Sequence, residues 1–214
     1  MTLLASILAA VLSTVYAHGS DIPNLDTVKT EINTYYQSGH YERDVSNVDA
    51  HLKSYVDARL KQGVRKPAVV FDIDDTMLSS YAYERAYNFA YTERTWSQWE
   101  RADRFPPIEP TLQLARYLTG QHVAVFYVTG RREPGRAITQ HELTAAGYPM
   151  PIALYLRPAS DTAASVIPYK SRTRAAIERQ GYDILASIGD QWSDLRGGYA
   201  DQLYKLPNPM YYLP

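Results

Sequence analysis

Residues 68–76 read Ala68-Val69-Val70-Phe71-Asp72-Ile73-Asp74-Asp75-Thr76, and the fold is read outward from them. Four apolar residues without a polar interruption, preceded by Gly63 and Pro67, fit a short strand buried on both faces. Asp72 closes that strand. Three carboxylates then fall within four positions, and at such spacing they repel one another. A solvated acidic turn is the plain alternative. Burial at the strand end makes an unpaired charge costly, so the segment calls for a cation or a chemical use of its charge.

The same pattern recurs downstream. Val123–Val128 is apolar and stops at Thr129-Gly130, and a helix is expected from about Pro134 to Ala146, before Gly147. Ile152–Leu156 reads as a third strand. Arg172–Gln180 reads as a helix closed by Gly181, Ile184–Ile188 as a strand ending in Gly189-Asp190, and Leu203–Lys205 as a short fifth strand. Upstream, apolar residues recur at three- and four-residue steps over Leu25–Ser38 and Arg43–Lys61, with Ser38-Gly39 as the break. Strands alternating with helices predict an α/β fold: a Rossmann-like parallel sheet flanked by helices, with N-terminal helices in addition. Ligands in such sheets bind beyond the carboxyl ends of the strands, which singles out Asp72, Asp74, Thr129 and Asp190.

Between Thr76 and Thr111 the chain is longer than a crossover requires and carries Tyr81, Tyr83, Tyr87, Phe89, Tyr91, Trp96 and Trp99. A small helical cap over about residues 77–110 is expected there. Most of these rings suit the cap's own core, with one or two left to face a pocket.

Composition narrows the function. At 214 residues the chain suits one core with an elaboration. A formal net charge of -1, with both signs interspersed, leaves no footprint for a nucleic-acid polymer or an anionic membrane, so a small molecule is the expected partner. With no cysteine, disulfides, thiolate metal sites and cysteine nucleophiles are excluded. The five histidines show no metal-ligand spacing, and no Gly-rich phosphate loop of the P-loop kind is present. Leu3–Val15 is apolar and small, and Val15-Tyr16-Ala17 before His18-Gly19-Ser20 is similar to an export signal with its cleavage site, although no Lys or Arg precedes it. The run is short for a membrane span. The expectation is a signal over residues 1–17, a mature domain over 18–214 without a stable membrane anchor, and a secreted or periplasmic location.

The ordered set, a strand ending in D-x-D, a second ending in Thr, a downstream Lys170, and a strand ending in Gly189-Asp190 with Asp194 four residues on, resembles the four-motif signature of the haloacid dehalogenase (HAD) superfamily. The phrases FDIDDTMLS (71–79), VFYVTGRRE (125–133), PYK (168–170), IGDQWSDL (188–195) and KLPNPMYY (205–212) are similar to its subfamily IIIB, the bacterial secreted acid phosphatases and plant vegetative storage proteins. The resemblance spans about Leu25 to Leu213. It implies a Mg²⁺-dependent acid phosphatase acting on small phosphate monoesters, nucleoside monophosphates among them, through an aspartyl-phosphate on Asp72. Asp74 would protonate the leaving alcohol and then activate water. Asp72, the backbone carbonyl of Asp74, and Asp190 would bind the metal, with Asp194 binding it or its water. Thr129 and Lys170 would hold phosphoryl oxygens. Arg131 and Arg132 are each either a phosphate contact or a solvated charge, Asp75 and Thr76 suit a bracing role, and the run Leu206–Tyr212 carries no evident chemistry. The alternatives are a storage or binding protein of the same fold that has lost turnover, and a phosphotransferase with the same residues.

Overall fold

β1 (Pro67–Phe71) takes the centre of a five-stranded sheet whose order is β3-β2-β1-β4-β5, every neighbouring pair being parallel. The other strands are β2 (Ala124–Arg132), β3 (Ala153–Arg157), β4 (Asp183–Gly189) and β5 (Gln202–Lys205). The computed structural model describes residues 22–214, so the expected export signal lies outside the described residues. Among them no helix is long and apolar enough to cross a membrane.

Alternation along β1 sends its side chains to two separate cores. Val69 and Phe71 join Val45, Leu52 and Val56 of α2 (His40–Lys61) and Leu112 and Leu118 of α5 (Glu109–Gly120). Ala68 and Val70 join Phe126 and Val128 of β2 and Tyr169 and Ile177 of α7 (Ile167–Arg179) on the other face. Each fully buried Val, Leu or Phe contributes about 1.5–3 kcal/mol by leaving water. These two layers explain why β1 shows no polar residue until its end. α1 (Leu25–Gln37) packs on α2, and α6 (Arg136–Ala145) follows β2 through a 3-10 turn.

Several boundaries differ from the sequence expectation. α2 begins at His40, not Arg43, and α5, which the pattern did not announce, leads into β2. α7 starts at Ile167, five residues before the expected Arg172. Pro168 sits in its first turn, where the missing N–H has no helical partner to lose, so Lys170 lies inside the helix and not ahead of it. Between β1 and α5 the chain forms α3 (Tyr81–Ala86) and α4 (Glu93–Glu100). Tyr83 is fully buried there, with Trp96 and Trp99 edge-on at 5.1 and 5.7 Å, while Tyr91 is exposed.

The chain runs outward from β1 through β2 to β3, then returns to place β4 on β1's other side. The switch of direction therefore falls between β1 and β4, where such sheets open a crevice at the strand ends.

Candidate active site

Register brings the two acidic strand ends together at that crevice. Phe71 pairs with Ile188, and the Asp72 N–H donates to the Ile188 carbonyl at 3.0 Å. Past Asp72 the chain folds into a tight loop, in which Asp75 adopts a positive φ of 53°, a conformation Asp tolerates better than most residues. Its carboxylate turns away from the crevice, accepting from Ser80 N at 2.8 Å, from the Ser80 hydroxyl and from the Tyr211 hydroxyl at 2.6 Å. Asp190 follows β4, and Asp194 lies in the short helix α8 (Trp192–Leu195), where its Oδ2 accepts from Gln191 N at 2.8 Å. Gly189 is required by this packing: a Cβ there would stand 2.5 Å from the Cβ of Asp194.

Asp72, Asp190 and Asp194 are all buried and offer carboxylate oxygens within 4.8 Å of one another. Lys170, from the first turn of α7, donates from Nζ to Asp72 Oδ1 and, at 2.7 Å, to Asp194 Oδ1. Thr76 Oγ1 lies 3.4 Å from both Asp72 and Asp190. One ammonium cannot balance three carboxylates. Burial, with Asp194 crowding it, raises the Asp72 carboxyl to about 7 against the pull of Lys170, and burial together with Asp194 and Asp72 pushes Asp190 well above the usual carboxylate range. Burial disfavours the Lys170 charge, yet Asp194 and Asp72 outweigh it and hold its pKa above the ordinary lysine value. The uncompensated negative charge and the all-oxygen donor set fit a hard divalent cation.

Asp74 belongs to a different cluster. Its two oxygens accept from Arg131, from Nε at 3.1 and 3.0 Å and from Nη2 at 2.7 Å. The same guanidinium donates from Nη1 to Thr139 Oγ1 at 3.3 Å and to Glu142 of α6, and stands 3.7 Å from Glu100 of α4. Arg131 is therefore neither a solvated charge nor free for phosphate in this arrangement. Arg132 donates to backbone carbonyls of Pro158 and Asp161 and takes no part in the site. Thr129 is buried near the end of β2, two residues past the last β1 pairing, and its Oγ1 accepts from Arg131 N at 3.1 Å.

The final segment contributes what the sequence reading passed over. Asn208 donates to Asp190 Oδ2 at 2.7 Å, beside Gln191 Nε2 at 2.8 Å, and Tyr211 braces Asp75. The signal was present in Pro207-Asn208-Pro209: a hydrogen-bonding side chain framed by two residues of fixed φ.

The family model described as HAD superfamily, subfamily IIIB (acid phosphatase) matches residues 3–214. Vegetative storage protein 1 of Arabidopsis thaliana is 31% identical over 205 residues, 91% of this chain and 75% of the relative. Acid phosphatase 1 of Solanum lycopersicum is 33% identical over 148 residues, 67% of this chain and 58% of the relative. The class C acid phosphatase from Bacillus anthracis shares the fold with a TM-score of 0.73, at 19% identity over 88% of this chain and 86% of that one. The chain belongs to subfamily IIIB of the HAD superfamily, the acid phosphatases, and its enzyme class is that of a phosphomonoesterase.

Proposed function

We propose that the protein hydrolyses small phosphate monoesters, nucleoside monophosphates among them, through an aspartyl-phosphate on Asp72, with Mg²⁺ at the buried carboxylates. The gathering of Asp72, Asp190, Asp194 and Lys170 at the switch point between β1 and β4 carries this reading. An oxygen of Asp72 attacks phosphorus, the bond to the ester oxygen breaks, and Asp74 gives its proton to the departing alkoxide. Asp74 then takes a proton from water, whose oxygen attacks phosphorus and breaks the acyl-phosphate bond, so that Asp72 and inorganic phosphate are released. Asp72, Asp190 and the Asp74 backbone carbonyl would hold the cation, with Asp194 on it or on its water; when bound it neutralises charge on these carboxylates and on the phosphoryl oxygens. Lys170 supplies a fixed positive charge to the phosphoryl group, and the Thr129 hydroxyl, whose oxygen accepts from Arg131 N, keeps its proton to donate from the β2 side.

Residues of about 77–110 act as a cap over the strand ends, and residues 1–17 as an export signal for a secreted or periplasmic enzyme. The test is hydrolysis of a chromogenic aryl phosphate with Mg²⁺ and with a chelator, beside Asp72→Asn. Metal-dependent turnover lost in the variant is the expected result. Absence of turnover with every divalent cation from acid to neutral pH would overturn it and leave a storage role, as the names of two relatives suggest. Competition by added alcohols separates hydrolysis from phosphotransfer.

A further inference from the structure

We propose that Asn208 is a positioning residue that sets which divalent cation the acidic centre accepts, by removing one oxygen of Asp190 from coordination; this rests on the cation binding proposed above. Asp190 Oδ2 accepts two amide N–H groups, from Asn208 Nδ2 at 2.7 Å and from Gln191 Nε2 at 2.8 Å. Two donors occupy both lone pairs of one carboxylate oxygen. Among the described residues the other oxygen, Oδ1, accepts only from the Thr76 hydroxyl, at 3.4 Å. Asp190 can therefore give a cation one oxygen and not two.

The two amides are themselves held. Asn208 Oδ1 accepts from Met210 N at 2.8 Å, which turns Nδ2 toward Asp190, and Pro207 and Pro209 restrict the backbone on either side. Gln191 Oε1 accepts from Leu213 N at 3.1 Å. The segment is anchored where Leu206 N donates to the Gly189 carbonyl at 2.9 Å, next to Asp190. Asp194 differs: each of its oxygens takes one donor, Gln191 N on Oδ2 and Lys170 Nζ on Oδ1, so neither oxygen is withdrawn from coordination.

Such a site discriminates by coordination number. Mg²⁺ takes six oxygens in a tight octahedron, whereas Ca²⁺ takes up to eight and commonly draws both oxygens of a carboxylate. Holding Asp190 to one oxygen suits the smaller ion and penalises the larger. Removal of the Asn208 donor frees Asp190 Oδ2 to turn toward the cation, so affinity for Ca²⁺ should gain relative to Mg²⁺.

The experiment is calorimetric titration of the full chain with MgCl₂ and, separately, with CaCl₂, for the wild type, Asn208→Ala and Asn208→Leu. The leucine keeps the bulk of the asparagine without its donor and without a new charge beside Asp190, so it carries the same prediction should the alanine variant fail to fold; melting temperatures without metal report on folding. A preference for Mg²⁺ that falls by about tenfold or more in a folded variant is expected, in line with the effects of outer partners on metal sites. A wild type that binds Mg²⁺ and variants that keep its preference, whether or not both affinities weaken together, would overturn the inference alone. A wild type that binds neither ion would overturn the inference and the reading beneath it.

Discussion

Asp72 and Asp74 stand two residues apart on one loop, yet they belong to different regions with different physics. Asp72 has an 8% exposed side chain and shares Lys170 with Asp194 beside Asp190. Asp74 is 23% exposed and is gripped by Arg131, which also binds Glu142 and approaches Glu100 of α4. The first region is an excess of buried negative charge that a cation can relieve. In the second, the two-pronged grip of the guanidinium falls on Asp74, burial lifts the Glu142 carboxyl to about 7 and the Glu100 carboxyl above its ordinary value, and the Asp74 carboxylate keeps access to the crevice. A nucleophile must be desolvated and held, whereas a group that passes a proton must reach both the leaving oxygen and water. The i and i+2 spacing at the end of a strand delivers one residue to each environment.

Three substitutions sharpen or break this contrast. Asp74→Asn should lower kcat by about 10²–10⁴-fold, the usual yield of general acid–base catalysis, and the loss should be smaller for an aryl than for an alkyl phosphate, because a good leaving group needs no proton; equal losses would remove Asp74 from the proton-transfer role. Lys170→Met should cost about 10²–10³-fold in kcat and should lower the melting temperature of the metal-free protein, since Asp72 and Asp194 lose their buried partner. Added Mg²⁺ should restore much of that stability. Arg131→Lys keeps the charge and loses the two-pronged grip; a fall of about tenfold in kcat, without a change in Mg²⁺ affinity, would separate the two regions, while a parallel loss of metal binding would join them.

The smallest effect on rate is expected from Asp49→Asn, a change remote from both regions. Asp49 is buried on α2; among the described residues its Oδ1 has no partner, and only the Thr111 hydroxyl, at 3.3 Å, reaches its other oxygen. Burial raises its carboxyl to about 7, outweighing that bond. A folded pKa above the unfolded value contributes stability that is present below the unfolded pKa and is lost as pH rises through about 7. Asp49→Asn should therefore leave kcat unchanged, matter little at pH 4 and stabilise the protein at pH 8 by roughly 2–4 kcal/mol, as denaturant midpoints at the two pH values would show.

The strand ends were the legible part of this molecule. A strand covered on both faces must be apolar until it emerges, so Asp72 and Thr129 announce themselves as the first polar residues of their runs, and Asp190 as the first charged one after Ile184, with only the small Ser187 between. Lys170 was legible by its motif but was placed ahead of its helix, because Pro168 looks like a break when it is a first-turn residue. What Arg131 and Asn208 bind was not legible. Their partners lie 57 and 18 residues away, and no local periodicity encodes a contact made by tertiary folding. The aromatic stretch 81–99 reads as a core from its composition, yet only the packing separates buried Tyr83 from exposed Tyr91.

The most direct measurement is acid quenching of Asp74→Asn during turnover of an aryl phosphate, followed by mass mapping of the peptide that holds Asp72. With a good leaving group the first step should proceed while water activation fails, so a phosphoryl adduct should accumulate on Asp72 and vanish in the Asp72→Asn, Asp74→Asn double variant. Active wild-type enzyme with no adduct on Asp72, or an adduct on another residue, would contradict the assignment of Asp72 as the nucleophile.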